Sequence, residues 1–320
     1  MLNDLLAQQP GAVLLVQNDE CAVWQFRNET GDGTMTAYSI FPGIALHYND
    51  FHMEYFDSGF VPAGNLLAVD HCREGRMEYA AAENAVAYMS AGDMKLDRRL
   101  HHTGRFIFPT GHYHGLTVGL ELTAARETLQ TELKYFQIQL DQIFEKFELG
   151  EYPRVFHDAA LVEHLFGEMY QVPQTIRLPY LRTKILELLL YLQGMEIPQE
   201  TAERPYFYRT QVEKVRAIQR FLTEHLTQNI SQEQLSRQFD FPLTGMKKCF
   251  QSITGSTIGA WVTTCRMNRA AEMLRSDRGK SIADVGCYVG YDSASKFAAA
   301  FRKTMGMTPS EYRMERGGKE

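Results

Sequence analysis

Two sets of side chains in this sequence could do chemistry. The first is a run of histidines in the N-terminal third: His47, His52, His71, His101, His102, His112 and His114. Imidazole is the commonest protein ligand for transition metals. In His112-Tyr113-His114 the two imidazoles would share one face of an extended strand, because side chains alternate with a period of two. Arg73, Arg76 and Glu78, just after Cys72, add charge nearby: a buried arginine here could pair an anionic small molecule, or be neutralised by Glu78, or both could be exposed. The second set lies near the C-terminus. Thr244, Lys247, Lys248 and Gln251 recur at i, i+3, i+4 and i+7, as do Ser295, Lys296, Arg302 and Lys303 at helical spacings. Each would form one polar, cationic helix face. Such a face neutralises phosphates and can reach base edges in a DNA groove.

The composition must accommodate both sets. The chain has 320 residues, of which 44% are hydrophobic and 22% charged, as in an ordinary globular protein long enough for two domains. The net charge of −6 is unevenly placed. From residue 205 onward there are 18 Lys and Arg against 11 Asp and Glu; before it, 15 against 28. A basic module behind an acidic one fits a polyanionic partner for the C-terminal part, although a solvated surface would look similar. The apolar run around Leu186–Leu192 is too short to cross a bilayer, so no membrane partner is expected. Asp4 stands where an export signal would carry positive charge. The five cysteines (Cys21, Cys72, Cys249, Cys265 and Cys287) are scattered, with no C-x-x-C pair. Together these features lead to an expected cytoplasmic location with free thiols. Cys249, Cys265 and Cys287 are expected at helix core positions. No Gly-x-Ser-x-Gly elbow, phosphate-binding glycine loop or His-Glu-x-x-His occurs, so no catalytic set emerges and no enzyme is expected.

Residues 11–121 read as many short strands separated by turns such as Gly31-Asp32-Gly33 and Pro62-Ala63-Gly64-Asn65, the pattern of a sandwich or barrel. Helical patterns follow over Ala124–Tyr135, Asp141–Phe147, Asp158–Tyr170 and Pro179–Gln193. In the last, Leu181, Ile185, Leu188 and Leu192 make one apolar stripe, either a core face or a dimer contact. A polar linker with two prolines comes next. From Thr210 onward every pattern is helical.

That helical part repeats itself. At an offset of 50 or 51, Leu235 falls on Val285, Phe241 on Tyr291, Met246 on Phe297, Phe250 on Phe301 and Gly255 on Gly306. In each copy a serine (Ser231, Ser281) is placed to cap a short helix. A turn follows, at Phe239–Phe241 or Val289–Tyr291, where Gly290 suits a positive φ. A second helix then buries two large side chains four residues apart, and a glycine ends it. The opposite face of that second helix carries the cationic set. Thr308-Pro309 turns the chain away.

The stretch from Ser231 to Arg313 resembles the DNA-binding domain of the AraC/XylS family of bacterial transcription regulators. The residues that carry the resemblance are Arg266, Ala270, Leu274, Ile282, Val285, Gly290, Tyr291, Phe297, Phe301, Gly306, Thr308-Pro309 and Tyr312-Arg313. It implies two helix–turn–helix units joined by a rigid helix (Trp261–Arg275), with recognition helices about 34 Å apart on one side of a duplex. Carried over, the base-contacting positions of the first unit fall on Thr244, Lys247 and Lys248, with Gln251 beside them. The second unit departs from the pattern at Ala298 and Ala299. Ser295, Lys296, Arg302 and Lys303 would then act mainly on phosphates, which fix position without reading sequence.

More weakly, residues 70–96 and 106–122 resemble the cupin-like sensor barrel that often precedes such a domain. The resemblance implies a two-domain α+β protein: an N-terminal cupin-like β-barrel or jelly roll with a helical dimerisation segment, then an all-α double helix–turn–helix. The corresponding segments are 1–122 for the sensor, 123–195 for the helical segment, 196–208 for the linker and 209–315 for DNA binding. It also implies an unidentified small-molecule effector, for which Arg76, Glu78, Tyr113 and His114 are the candidate contacts. Promoter DNA, RNA polymerase and a second copy of the chain are the expected partners. The function implied is a sequence-specific regulator, an activator by preference. The competing reading is a metal-dependent cupin enzyme fused to a DNA-binding tail. Enzymatic cupins follow His-x-His with Glu four or five residues on; here Val118 and Gly119 stand there and Glu121 is too far along. No metal and no cofactor are therefore expected.

Overall fold

The computed structural model describes residues 11–59, 65–100, 104–150, 152–156, 160–196, 206–276 and 279–316. His101, His102, residues 62–64 of the expected turn, Asp158 and most of the expected linker (197–205) lie outside the described residues. The chain divides into two units, Met1–Tyr208 and Arg209–Glu320, which together make a two-domain α+β protein.

The N-terminal unit is built on antiparallel strands: β1 Val13–Gln17, β2 Cys21–Asn28, β3 Gly31–Phe41, β4 Ile44–His52, β5 Tyr55–Ser58, β6 Leu66–Ala82, β7 Ala85–Ser90, β8 Met94–Asp97, β9 Gly104–Ile107, β10 Tyr113–Glu121, β11 Arg154–Phe156 and β12 Tyr206–Tyr208. The ladder runs β1-β2-β3-β4-β10-β6-β7-β12, with β8 and β9 also on β6. Two sequence runs that read as separate strands, Leu66–Cys72 and Arg76–Ala81, are one 17-residue strand, β6. The Arg-Glu-Gly between them makes a bulge against β10 rather than a turn. Gly75 takes φ +83° there, and a Cβ on it would stand 2.2 Å from the His112 carbonyl oxygen. The last residues of the expected linker are likewise not free: β12 pairs with β7.

Alternation gives the sheet two faces. Ile44, Leu46, Leu67, Val69, Leu116, Val118 and Leu120 turn to one side. There they meet four helices: α1 Leu122–Thr131, α2 Leu140–Lys146, α3 Ala160–Tyr170 and α4 Arg177–Gly194. The α4 stripe of Leu181, Ile185, Leu188 and Leu192 is fully buried in this core. Each such side chain stabilises the fold by about 1.5–3 kcal/mol, and the stripe is thereby unavailable as a dimer seam. The sheet and the helices of 123–195 thus share one core.

The other face holds Trp24, Phe26, Phe51, Phe106, Phe108 and Tyr113, with Met53, Met77 and Met89. A polar row crosses this face in register: His47 opposite Thr117, Thr117 opposite Asp70, Asp70 opposite Lys95. Asp70 accepts hydrogen bonds from Thr117 Oγ1 (2.7 Å) and Arg99 Nη2 (2.5 Å), and lies 3.1 Å from Lys95 Nζ. Lys95 is wholly buried, with its ammonium 4.1 Å from the centre of the Tyr79 ring. Burial alone would raise the Asp70 carboxyl, but Arg99 and Lys95 outweigh it and hold it well below the usual carboxylate range.

Burial, reinforced by Arg99, lowers His47 from 6.5 to about 4. Burial likewise lowers His71, stacked on Phe166, to about 4. Both imidazoles are neutral in the fold and take up protons on unfolding. The unfolded state therefore binds more protons below pH 6.5, and stability falls as pH drops from there toward 4. At pH 5 each histidine should cost about 2 kcal/mol relative to neutral pH. Thermal melts of the full chain from pH 7.5 to 5 should show the midpoint of the N-terminal transition falling, and His47→Gln with His71→Gln should flatten that slope. A parent slope unchanged by both substitutions would refute the assignment.

Candidate nucleic-acid interface

Among the described residues the C-terminal unit is helical: α5 Arg209–Glu224, α6 Gln232–Gln238, α7 Leu243–Thr254, α8 Ile258–Ser276, α9 Ile282–Tyr288, α10 Ala294–Met305 and α11 Pro309–Arg316. Two pairs, α6–α7 and α9–α10, repeat the same local construction. Ser231 accepts a hydrogen bond from Gln234 N (3.1 Å), and the Gln234 side chain accepts one from Ser231 N (2.7 Å). Ser281 and Asp284 make the same reciprocal pair at 3.1 Å each. Both are capping boxes, each satisfying two backbone donors at a helix start.

The turns match as well. Phe241 N bonds Ser236 O (2.9 Å) in the first, and Tyr291 N bonds Gly286 O (3.0 Å) in the second. The left-handed residue that each turn needs is Asp240 (φ +45°) in the first and Gly290 (φ +87°) in the second. The difference is steric: a Cβ on Gly290 would lie 3.0 Å from the Thr227 carbonyl oxygen and 3.2 Å from the Arg266 guanidinium carbon.

The second helix of each pair then shows two faces. On α7, Met246, Cys249, Phe250 and Ile253 are buried, whereas Thr244, Lys247, Lys248 and Gln251 are exposed. On α10, Phe297 and Phe301 are fully buried, whereas Ser295, Lys296, Arg302 and Lys303 are exposed. Ala299 is exposed among them, and Ala298 is half-buried. Edge-to-face ring contacts fix the anchors: Phe250 on Trp261, Phe297 on Phe301, Phe301 on Tyr312. Gly255 (φ +75°) and Gly306 (φ +79°) end the two helices in the left-handed conformation. Thr308-Pro309, expected only as a stop, also starts α11: Thr308 N donates to the Glu311 carboxylate (2.7 Å), and Pro309 takes the first helical position, where its missing N–H costs nothing.

Arg266, in the middle of α8, links the segment after α5 to the turn of the second pair. Its Nε donates to Leu226 O (2.6 Å) and its Nη2 to Gln228 O (3.0 Å), just beyond α5, while its guanidinium carbon lies 5.9 Å from the centre of the Tyr291 ring.

Of the four residues expected to contact an effector, Arg76 and Glu78 both meet Tyr88, whereas Tyr113 and His114 stand on opposite faces of β10. Tyr113 is buried on the aromatic face of the sheet, stacked on Phe108. His114, the next residue on β10, points to the opposite face. Arg76 and Glu78 are buried on β6, where Tyr88 donates a 2.5 Å hydrogen bond to Glu78. A cavity of about 200 Å³ lies elsewhere, between the sheet and its helices, lined by Thr36, Tyr38, Tyr48, Tyr170 and Arg177 among others. Sequence reasoning passed over these residues, because each tyrosine reads as an ordinary strand or helix residue. Cys72 is buried, and burial pushes its thiol far up, which leaves it poorly reactive. Cys249 is buried as expected and Cys265 half-buried, but Cys287 is exposed because α9 turns it away from the side of Val285.

Paired, capped helix–turn–helix units with cationic outer faces define a DNA-binding class of protein. Residues 229–315 match the family model described as a helix-turn-helix domain. The chain is 25% identical over 124 residues to the HTH-type transcriptional activator RhaR of Mannheimia succiniciproducens, covering 39% of this chain and 45% of that protein. It is 30% identical over 97 residues to the virulence regulon transcriptional activator VirF of Yersinia enterocolitica, covering 30% and 35%. A solved transcriptional regulator from Chromobacterium violaceum, described as containing an AraC-type DNA-binding domain, is 19% identical and covers 34% of this chain and 95% of its own, with a TM-score of 0.31. The similarity thus spans less than half the length of these curated relatives. The C-terminal unit carries a helix-turn-helix domain over residues 229–315.

Gly290→Ala should destabilise the C-terminal unit by about 1–3 kcal/mol, through backbone strain and contact with Thr227 and Arg266. Asp240→Gly, at the equivalent but open turn, should be neutral or slightly stabilising. Urea denaturation followed by circular dichroism checks both; equal effects of the two substitutions would contradict the steric account.

Proposed function

We propose that this protein is a sequence-specific DNA-binding transcription regulator, an activator, in which α7 and α10 enter successive major grooves of promoter DNA. The observation that carries the reading is the duplicated pair: two helices anchored by buried aromatic and aliphatic side chains, each presenting short polar and cationic groups to solvent. Thr244, Lys247, Lys248 and Gln251 read bases. The small Ala298 and Ala299 leave α10 to dock through Ser295, Lys296, Arg302 and Lys303 on phosphates. The names of the curated relatives, both activators, support the direction of regulation.

In this reading the N-terminal unit is a cupin-like sensor whose small-molecule effector shifts a pre-existing equilibrium between DNA-binding states. The tyrosine-lined cavity with Arg177 at its wall is a better place for it than the four residues chosen from sequence. The protein acts in the cytoplasm, as a homodimer, with RNA polymerase as its partner at the promoter. The dimer would use a surface other than the buried α4 stripe.

The experiment is selection of duplexes from a random pool by the full chain, then binding at several salt concentrations. Lys247→Ala with Lys248→Ala should weaken binding to the selected duplex at least tenfold and blur the selected sequence over one half-site, at about 1–3 kcal/mol per lost base contact. Arg302→Ala with Lys303→Ala should weaken all sequences alike and lower the salt slope by about 2. If no sequence is enriched, a non-specific DNA-packaging role replaces regulation. If the Lys247/Lys248 variant selects the parental sequence with parental affinity, α7 is not a recognition helix.

A further inference from the structure

Three side chains on the helix-bearing face of the sheet, beyond the area the helices cover, aim their ligand atoms at one another. Asp50 and His52 are two apart on β4 and so share a face, and His114 on β10 is the direct cross-strand partner of Asp50. Asp50 Oδ1 lies 2.9 Å from His52 Nε2 and 2.9 Å from His114 Nε2. The two Nε2 atoms are 3.2 Å apart. Hydrogen bonds alone do not account for this triangle. If both imidazoles donate to Asp50, two N–H groups face each other; if only one does, a lone pair faces the carboxylate. A single cation satisfies all three contacts. Tetrahedral zinc, with bonds of about 2.0–2.1 Å, sets its ligand atoms roughly 3.3 Å apart. The triangle is within a few tenths of an ångström of one face of that tetrahedron.

The surroundings support the same reading. Glu74 on β6 is the cross-strand partner of His114 on its other side, and its carboxylate stands 3.7 Å from His114 Nδ1. A carboxylate at Nδ1 favours the tautomer that leaves Nε2 free to bind a metal. The three ligand residues are the one group of three or more such side chains, among the described residues, close enough to hold an ion. His112, which the sequence offers as the natural partner of His114, instead has Nδ1 3.1 Å from Thr110 O.

We propose that Asp50, His52 and His114 bind one divalent first-row transition ion of the zinc class, with Glu74 orienting His114 and water completing the coordination shell. Two imidazoles and one carboxylate suit such ions, and suit magnesium or calcium poorly. The ion ties β4 to β10 beside the cavity, since Tyr48, which lines it, is two residues from Asp50 on the same face.

The test uses the full chain, stripped with a chelator and titrated with zinc chloride against a chromophoric competitor, with cobalt(II) absorption recorded in parallel. One equivalent of zinc should bind, with the visible bands of low-coordinate cobalt(II) on substitution. His52→Ala, His114→Ala and Asp50→Asn should each weaken binding at least tenfold, and Glu74→Gln by a smaller factor without changing stoichiometry. His164→Ala, exposed on α3, should bind as the parent does. Asp50 and His52 are more than half exposed, so those two variants should keep the parental circular dichroism spectrum and melting temperature without zinc. No uptake at about 100 µM zinc, or uptake that His52→Ala and His114→Ala leave unchanged, overturns the proposal as adventitious surface binding. Because the readout is metal uptake, its failure leaves the DNA-binding reading untouched, and the reverse also holds.

Discussion

The guanidinium of Arg266 is the joint on which the DNA-binding unit depends. Carbonyls at and just beyond the end of a helix lack intrahelical donors. At the end of α5 the carbonyls of Leu226 and Gln228 are satisfied by an arginine projecting from the middle of α8. The same planar group approaches the ring of Tyr291, in the turn of the second helix pair. One side chain thus holds the first helix of the unit, the connecting helix and the second turn in fixed relation, and Gly290 is the residue that lets the turn come close enough. A lysine could not do this, because it lacks the rigid fork of donors. In the proposed function, two neighbouring grooves would be met by helices held in fixed relation, and this joint would supply part of that relation.

The N-terminal unit is organised by a different constraint. Its central strands β4, β10 and β6 are covered on both faces, so the sheet has to bury the polar row His47–Thr117–Asp70–Lys95. Two cations and two carboxylates (Lys95, Arg99, Asp70 and Asp97) meet there within ion-pair distance. Such a buried network costs desolvation that its own attraction roughly offsets, while removing one member leaves an uncompensated charge. Its contribution is therefore better described as fixing strand register than as adding stability. On the opposite face the same strands leave the helices behind at Asp50 and emerge into solvent, which is why histidines and carboxylates can gather there.

Much of the C-terminal unit was legible because its signals are local. Serine caps, glycine stops, a four-residue spacing of aromatic side chains and a cationic outer face each depend on a few neighbouring residues, and the duplication read each of them twice. The exceptions were also local in kind: α11 was hidden because Thr-Pro both ends one helix and begins another, and Cys287 was misplaced because a seven-residue helix has too few turns to define a face. In the N-terminal unit the strands were legible as a class, but their pairing was not. Arg73-Glu74-Gly75 carries the composition of a turn and serves as a bulge. His114 shares its face with the buried Leu116, Val118 and Leu120, a face that meets helices, and it finds partners on β4 instead of beside it in sequence.

The sequence by itself determined the repeat, the caps and stops, the two faces of the second helix of each pair and the split of charge between the two halves, because these follow from periodicities of one or two turns and from backbone preferences of single residues. Tertiary structure alone decided what crosses between strands and helices. It brought Arg266 to the segment after α5, set Asp50 and His52 against His114, placed Tyr113 and His114 on opposite faces, and formed a tyrosine-lined cavity. Contacts between residues tens of positions apart depend on strand register and helix docking, which no local pattern encodes.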